Sequence, residues 1–540
     1  MGSAASKPAT PVPTYTAPPV KYDEKRSAVS QVQVYHQVQD DCSASGTTEM
    51  GLTRSKLDAW QQDFDATPTL KLSQLILTNA DPKTSLISRE RIIQDQPVFN
   101  LELKGVPDKD GKNRKGVYPG PVTNQKNSGR CWLFATTNCL RYRVIPQLNL
   151  GDFQLSQSYL FFYDKLEKAN WFLENVLDLV DEPIDSRIME FLNRDPVGDG
   201  GQFDMAVNIV EKYGVVPQAV YPESFTSSQS GPINQIVTSK LREFGLELRQ
   251  IVDSLRSSSA SVSKERATER ARTRKDEMMR TVFDVLSCSM GTPPKPDAEF
   301  FWETYDRDGK YLKVEMTPKA FYKKYTGPYR PNECFSLIND PRNEYEKLYT
   351  VDRLGNVSGG MSVRYVNAPT SALEKAVIAC IKADQPVFFG SDAGAPGIRA
   401  DGIWDTKAFD YQKAYGFSLG MNKAQRLQTG DSLANHAMVI TAVHLDDNGT
   451  PVRYKIENSW SDAVGNKGFF MCTADWFREY VYQVVIPEKL AESKWVEILK
   501  KGDPVVLKPW DPMGGKFSLS LLLSHTLLIL NLFFLLFRLF

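Results

Sequence analysis

Two residues in the first quarter of the chain could take part together in a reaction of a cysteine nucleophile. Cys131 follows a run of turn-forming residues and begins an apolar stretch that is typical of a helix. A thiol at a helix N-terminus has a lowered pKa, because the helix dipole favours the nucleophilic thiolate. Gln125 lies six residues upstream, so its side-chain amide and the Cys131 backbone N–H could form an oxyanion hole. A cysteine at a helix start is also an ordinary core residue, so Cys131 alone leaves both interpretations open.

A cysteine nucleophile needs a base, and the chain holds only four histidines. His36 and His525 lie in the two terminal segments. His436 and His444 share one apolar, β-rich run, and at about 3.3 Å per residue their side chains are too far apart for both to reach one thiol. We favour His436 as the base, because the following segment carries a residue that could orient its ring.

That residue is Asn458, in an alternating segment that a Gly-Thr-Pro turn joins to the first as a predicted antiparallel hairpin. Its carboxamide could accept a hydrogen bond from His436 and fix the tautomer that faces Cys131. Trp460 could shield that hydrogen bond from water. A lone strand histidine is more often a core residue, and only the conjunction of these side chains favours catalysis.

The chain that must position these residues has the composition of a soluble globular protein. It has 540 residues, of which 41% are hydrophobic and 24% charged. Lys+Arg and Asp+Glu both number 65, so net charge does not indicate a polyanionic partner. Seven scattered cysteines without a CxxC pair favour free thiols in a reducing compartment. No clustered ligand spacing predicts a metal, and the thiol chemistry requires no cofactor.

Helical patterns are predicted over 52–77, 156–180 and 232–280. Within the last of these, Lys264–Lys275 concentrates charge. Such a segment is either a nucleic-acid-binding patch or a solvated helix face, and the interleaved acidic residues favour the helix face. We expect Ser55 to cap the first helix and 386–390 to form a short buried strand.

The two ends of the chain have different compositions. Residues 1–51 are rich in Pro, Ala, Ser, Thr and Gln, and we predict a disordered tail. Gly2 fits a myristoylation pattern, although one such chain holds a membrane only marginally. Residues 516–540 are mostly apolar and as a helix would be long enough to cross a bilayer. They are a membrane anchor, an artefact of a mis-predicted last exon, or a propeptide removed in maturation.

Gln125, Cys131, His436 and Asn458 resemble the active-site set of papain-type cysteine peptidases, in order and in the Gln-to-Cys spacing. The segments at 121–138, 155–170 and 510–514 resemble the bleomycin hydrolase branch of that family. The resemblance spans roughly residues 52–515.

This resemblance implies an α+β fold with a papain-like core, a helical left part and an antiparallel β right part. It implies a helical insertion at about 232–290 and a C-terminal arm at about 500–515. Five arm residues would lie in the cleft: Trp510, Asp511, Pro512, Met513 and Gly514. The implied protein is a cytoplasmic homohexamer with its active sites facing an inner chamber. Some fungal relatives also bind DNA and have a mitochondrial form.

The activity that the resemblance implies is aminopeptidase trimming of peptides, with amide hydrolysis of bleomycin and hydrolysis of homocysteine thiolactone. Relatives end a few residues after Gly514, where the terminal carboxylate meets the substrate α-amine. Here the chain continues, and an arm displaced by this extension would favour an endopeptidase. A third interpretation, from a different class, is a nucleic-acid-binding regulatory protein on a peptidase fold. Loss of peptide trimming on Cys131→Ala would separate the enzyme from that regulator.

Overall fold

The computed structural model describes residues 51–104, 121–258, 262–327 and 330–515. The predicted disordered tail, the acylation site at Gly2 and the apolar extension lie outside these ranges. Two compact units divide the chain, and the boundary falls after Ala66. The first unit contains the helix Arg54–Ala66, and the site described below belongs to the second unit, which starts at Thr67.

The sequence patterns produce the predicted helices with small shifts of their ends. Ser55 lies inside the first helix instead of capping it, because the hydroxyl of Thr53 accepts the Lys56 N–H. The α-helices are α1 (Arg54–Ala66), α2 (Pro68–Leu77), α3 (Pro82–Ser85), α4 (Arg89–Gln94), α5 (Cys131–Gln147), α6 (Gln157–Asp178), α7 (Arg187–Arg194), α8 (Phe203–Tyr213), α9 (Phe225–Ser228), α10 (Gly231–Ser258), α11 (Lys264–Met290), α12 (Pro318–Tyr325), α13 (Thr370–Lys382), α14 (Tyr411–Tyr415), α15 (Lys423–Thr429), α16 (Ala474–Tyr480) and α17 (Ser493–Lys501).

Strands occupy mainly the second half of the chain. They are β1 (Leu101–Glu102), β2 (Phe300–Tyr305), β3 (Tyr311–Met316), β4 (Cys334–Ile338), β5 (Lys347–Val351), β6 (Tyr365–Asn367), β7 (Val387–Ser391), β8 (Ile403–Trp404), β9 (His436–Leu445), β10 (Pro451–Glu457), β11 (Phe469–Thr473), β12 (Val481–Pro487) and β13 (Val505–Leu507).

One large mixed sheet has the order β13-β5-β6-β4-β12-β7-β9-β10-β11-β8, and β1 also pairs with β9. The predicted hairpin is present, since β9 and β10 pair antiparallel with Glu457 opposite Val439. Most pairs are antiparallel, but β4–β6, β5–β13 and β8–β11 are parallel. The right part is therefore not purely antiparallel, because none of these three pairs is joined by a simple hairpin turn.

The helix α5 lies between the other helices and the sheet. Its residues are buried on nearly every side, as expected for a helix in the centre of a core. It contacts β9 and β7 on the sheet, and α6 and α8 among the helices. Ser156 caps α6 by accepting the Tyr159 N–H. This arrangement of helices packed beside a β-sheet confirms the predicted α+β class.

The charged segment Lys264–Lys275 lies in α11, which packs against α10 and α6. Arg272 and Lys275 both form ion pairs with Glu174 of α6. Arg274 pairs with Glu247 of α10. These cations are engaged by carboxylates of the same molecule, which favours the helix-face interpretation of this segment.

Six cysteines in the described ranges are free thiols, and of these only Cys288 is exposed. No helix within the described residues is long and apolar enough to cross a membrane.

Candidate active site

Cys131 is the first residue of α5, as the sequence predicts, and its side chain is completely buried. Burial raises the pKa of the Cys131 thiol to about 12, against a lowering influence from the backbone N–H groups of Ala437, Trp132 and Cys131 itself. The direction of this shift favours the neutral thiol. The thiolate that its position at a helix start predicts is disfavoured here, because the cost of desolvating the charge exceeds the effect of the helix terminus.

His436 is the first residue of β9, and the N–H of the next residue, Ala437, faces the Cys131 sulfur. The imidazole Nε2 lies 2.8 Å from Oδ1 of Asn458. The same oxygen accepts the backbone N–H of Ser459 at 2.8 Å, so it is an acceptor and Nε2 must carry the proton. The neutral ring therefore has Nδ1 free to accept a proton, and Nδ1 has no hydrogen-bond partner among the described residues.

The His436 imidazole is fully buried, and this burial lowers its pKa to about 4, although the hydrogen bond to Asn458 acts in the opposite direction. Trp460 covers the ring. The two ring centres lie 4.8 Å apart with an angle of 23° between the planes. The stacked indole covers one face of the imidazole. That it shields the His436–Asn458 hydrogen bond from water stays a prediction.

Gln125 is buried and its side chain is held at both ends. Its Oε1 accepts the Ser459 hydroxyl at 2.6 Å, and its Nε2 donates to the carbonyl of Ser128 at 2.6 Å. The backbone N–H of Gln125 also donates to the Ser459 carbonyl at 2.9 Å. Among the described residues, the Ser128 carbonyl is the acceptor for Nε2, and the second hydrogen on Nε2 has no acceptor there. Ser459, which follows Asn458, thus connects the segment that carries Asn458 to the loop that carries Gln125. The sequence analysis did not identify this role.

A second residue missed by the sequence analysis, Asp199, fixes the loop that carries the nucleophile. Its Oδ2 accepts the Gly129 N–H at 2.7 Å, and its backbone carbonyl accepts the Trp132 indole N–H at 2.8 Å. Lys165 forms a buried ion pair with its Oδ1 at 2.7 Å. Burial opposes ionisation, but Lys165 and the Gly129 N–H outweigh it and keep the pKa of Asp199 well below its usual range. The sequence indicated only a turn here.

The neighbouring residue Gly201 explains why this turn needs glycine. A Cβ placed on Gly201 would lie 2.6 Å from the Trp132 ring, so the backbone packs directly against the indole. The turn therefore forms a wall immediately beside the residue that follows the nucleophile.

The C-terminal arm is held by several side chains of the same molecule. The Arg187 guanidinium lies 3.9 Å from the centre of the Trp510 ring, and Phe191 packs edge-on against the same ring. Arg342 forms an ion pair with Asp511 at 2.8 Å. These contacts anchor the arm upstream of its final turn.

The final turn of the arm comprises Pro512–Gly514, and within it the Met513 carbonyl accepts the hydroxyl of Tyr365 at 3.3 Å. The carbonyl of Gly515 then accepts Nε2 of Gln202 at 2.5 Å. Gln202 follows Gly201, so the arm reaches the wall that packs on Trp132. It also lines a cavity of about 700 Å³ together with α7 residues and the 352–355 loop.

Comparison with known proteins identifies the family of this chain. The peptidase C1-like family model matches residues 51–514. The chain belongs to this family. Mouse bleomycin hydrolase is 40% identical over 474 residues, which cover 86% of this chain and 98% of the mouse protein. "Cysteine proteinase 1, mitochondrial" of Saccharomyces cerevisiae (strain JAY291) is 40% identical over 472 residues, 85% of this chain and 92% of the yeast protein.

A solved structure of the same type supports the fold independently. The crystal structure of PepW from Lactobacillus rhamnosis HN001 superimposes with a TM-score of 0.79 and 38% sequence identity. It covers 86% of this chain and 99% of the PepW chain. With this fold, these relatives and the family membership, the protein is a cysteine peptidase that resembles bleomycin hydrolase.

Proposed function

We propose that this peptidase is an aminopeptidase in which Cys131 is the nucleophile, His436 the acid–base group and Asn458 the residue that orients it. The main support is the hydrogen bond from Gln202 to the carbonyl of Gly515, because it holds the arm against the cleft wall. We infer that an arm in this position would occupy the binding sites for residues upstream of the scissile bond. Substrates would therefore enter with their N-terminus against the arm.

In the proposed mechanism, Nδ1 of His436 takes the proton of the Cys131 thiol as the sulfur attacks the substrate carbonyl carbon. The developing oxyanion is stabilised by the Cys131 backbone N–H and the remaining N–H of Gln125. His436 then gives its proton to the departing amine. A water molecule, deprotonated by the same imidazole, attacks the thioester, and the released acid restores the thiol.

The position of the chain end decides between trimming and internal cleavage. A chain that ends near Gly514 or Gly515 presents its carboxylate beside Gln202, where it would bind the α-ammonium group of the substrate by a charge-assisted hydrogen bond. This is consistent with the propeptide interpretation of 516–540. A chain that retains those residues lacks this charge in the cleft, and endopeptidase activity would then be favoured.

The test compares a peptide that has a free α-amine with its N-acetylated form. We expect the chain ending at Gly515 to cleave the free-amine peptide and to leave the acetylated peptide almost intact. Cys131→Ala should abolish both reactions and should fold normally, since the change removes only a sulfur. Equal cleavage of the two peptides would contradict the aminopeptidase proposal and support the endopeptidase.

By the same chemistry we propose bleomycin and homocysteine thiolactone as further substrates, since an amide and a thioester both offer a carbonyl carbon to Cys131. Mouse bleomycin hydrolase supports the first of these by its name. Loss of both hydrolyses in Cys131→Ala, measured by mass spectrometry of the products, would assign them to the same site.

We propose that the protein assembles as a homohexamer, in the cytoplasm and also in mitochondria, where the yeast relative is named as residing. Light scattering should give a mass about six times the 60.9 kDa of one chain. DNA binding and membrane association through Gly2 or 516–540 are secondary proposals. A DNA mobility-shift assay and vesicle sedimentation, each with and without the corresponding segment, test them.

A further inference from the structure

Arg399 is a partly buried cation that lies next to the proposed acid–base residue. It belongs to the loop between β7 and β8. Its guanidinium carbon lies 5.0 Å from the centre of the Trp460 ring. Trp460 also stacks on the His436 imidazole, so Arg399 and the proposed acid–base residue contact the same indole. The charge of Arg399 also contributes to lowering the pKa of His436.

The Arg399 guanidinium forms no hydrogen bond or ion pair with any residue in the described ranges. Burial lowers the pKa of Arg399, and no carboxylate counteracts this effect. Arg342, by contrast, is paired with Asp340 and Asp511. Asp401, close to Arg399 in sequence, does not form an ion pair with it. A partly desolvated cation without a counter-charge would be stabilised by an anionic ligand.

The proposed mechanism decides which part of a substrate meets this cation. His436 protonates the leaving amine, so the chain on the leaving side of the scissile bond begins at the imidazole. Trp460 lies on one face of that imidazole, and the Arg399 guanidinium contacts the same indole. Arg399 is close enough to His436 for its charge to lower the pKa of the imidazole. Extended chain advances about 3.3–3.6 Å per residue, so we infer that the first leaving residue is the one whose side chain or terminal carboxylate meets the guanidinium.

We propose that Arg399 binds a carboxylate on the leaving side of the substrate and makes the enzyme prefer peptides that carry one there. This inference rests on the proposed peptidase site of Cys131 and His436. A guanidinium matches a carboxylate bidentately, and the neighbouring indole limits screening by water. The carboxylate is either an acidic side chain on the first leaving residue or the free C-terminus of a dipeptide.

Matched substrates distinguish the two sources. Ala-Glu-Gly-amide against Ala-Gln-Gly-amide tests a side-chain carboxylate, because neither peptide has a free C-terminus. Ala-Ala against Ala-Ala-amide tests the terminal carboxylate. Alanine aminomethylcoumarin, which carries no carboxylate, reports on the peptidase reaction itself. The enzymes are the full chain, Arg399→Ala, Arg399→Lys and the control Arg280→Ala, which removes an exposed arginine of α11.

We expect the full chain and Arg280→Ala to show about tenfold higher kcat/KM for the acid member of at least one pair. In Arg399→Ala that ratio should fall to about one, and Arg399→Lys should retain part of it. An unchanged ratio in Arg399→Ala overturns the proposal. So does an equal loss on all substrates, which would mean that Arg399 acts only through His436. If the full chain does not hydrolyse the coumarin amide, the same comparison is made with all variants in the chain that ends at Gly515. Absence of any hydrolysis by both forms, including the coumarin amide, overturns the peptidase site instead.

Discussion

The identity of one hydrogen-bond acceptor determines how His436 can react. Oδ1 of Asn458 accepts two N–H groups, one from the Ser459 backbone and one from Nε2 of the imidazole. Nδ1 is thereby left as the basic nitrogen. An amide, unlike a carboxylate, adds no negative charge to stabilise the imidazolium. Burial therefore lowers the pKa of His436 without an opposing negative charge from Asn458.

This environment predicts the pH dependence of catalysis. The pKa of His436 is lowered to about 4, and only the neutral ring can accept the thiol proton. We therefore expect kcat/KM to be maintained down to about pH 4 and to be lost below it, as the ring becomes protonated. The measurement is the pH profile of kcat/KM with a substrate that does not titrate in this range.

Asn458→Asp provides the matched comparison, since its carboxylate would stabilise the imidazolium and move the acid limb to higher pH. An acid limb of the unmodified enzyme at or above the ordinary histidine value of about 6.5 would contradict the prediction.

At the scale of single residues, the sequence predicted those side chains whose type and local pattern indicate chemistry. Cys131 at a helix start, His436 and Trp460 were identified in this way, and the structure brings them together. Asp199 and Arg399 carried no local signal. Their significance depends on contacts with Gly129 and Trp460, which are tens of residues away in sequence.

At the scale of elements, the loop before α5 depends on the turn that contains Asp199. This carboxylate binds the Gly129 N–H on one side and Lys165 of α6 on the other. Asp199 thus joins three elements: the loop before Cys131, the turn that contains Gly201, and helix α6. Small displacements of a nucleophile have large kinetic effects, so this junction should matter for rate as well as for stability.

We expect Asp199→Asn to lower kcat about 10- to 100-fold through a displaced loop. It should also lower thermal stability, because Lys165 is left buried without its counter-charge. The double variant Lys165→Met with Asp199→Asn separates the effects: the melting temperature should recover, whereas kcat should stay low. Full recovery of kcat in the double variant would assign Asp199 a purely structural role.

The elements themselves were predicted better than their pairing. Alternating segments gave the β9–β10 hairpin, because its partners are adjacent in the chain. The sheet order could not be predicted in this way, since β1 and β13 come from opposite ends of the described chain and pair with β9 and β5. Strand β9 also contains one extra residue, Thr441, between Ile440 and Ala442, which pair with Ile456 and Lys455 of β10. The sequence pattern did not predict this irregularity either.

At the scale of the whole molecule, a buried ion pair joins the helical part to the sheet. Arg141 of α5 and Glu457 of β10 lie 2.5 Å apart, and both side chains are almost completely inaccessible to solvent. Arg141 also donates to the carbonyl of Pro121, at the start of the nucleophile loop. Glu457 immediately precedes Asn458, so both halves of the site are attached to this pair.

We expect Glu457→Leu to destabilise the protein by about 3–5 kcal/mol, because Arg141 would remain buried and unpaired. Thermal unfolding followed by circular dichroism measures the effect. The double variant Arg141→Met with Glu457→Leu removes both charges and should regain most of the lost stability. A single variant that melts like the unmodified protein would show that the pair contributes nothing.

The positions of the cysteines have a practical consequence for measuring the fraction of enzyme molecules that are catalytically active. Among the cysteines that the structure describes, Cys288 on α11 is exposed, whereas Cys131 is inaccessible. A general alkylating reagent such as iodoacetamide would modify Cys288 before Cys131. The number of labels per chain would therefore overstate the fraction of catalytically active enzyme. Titration with a peptide-derived inhibitor that needs the imidazole to react, on a Cys288→Ser background, gives the true number.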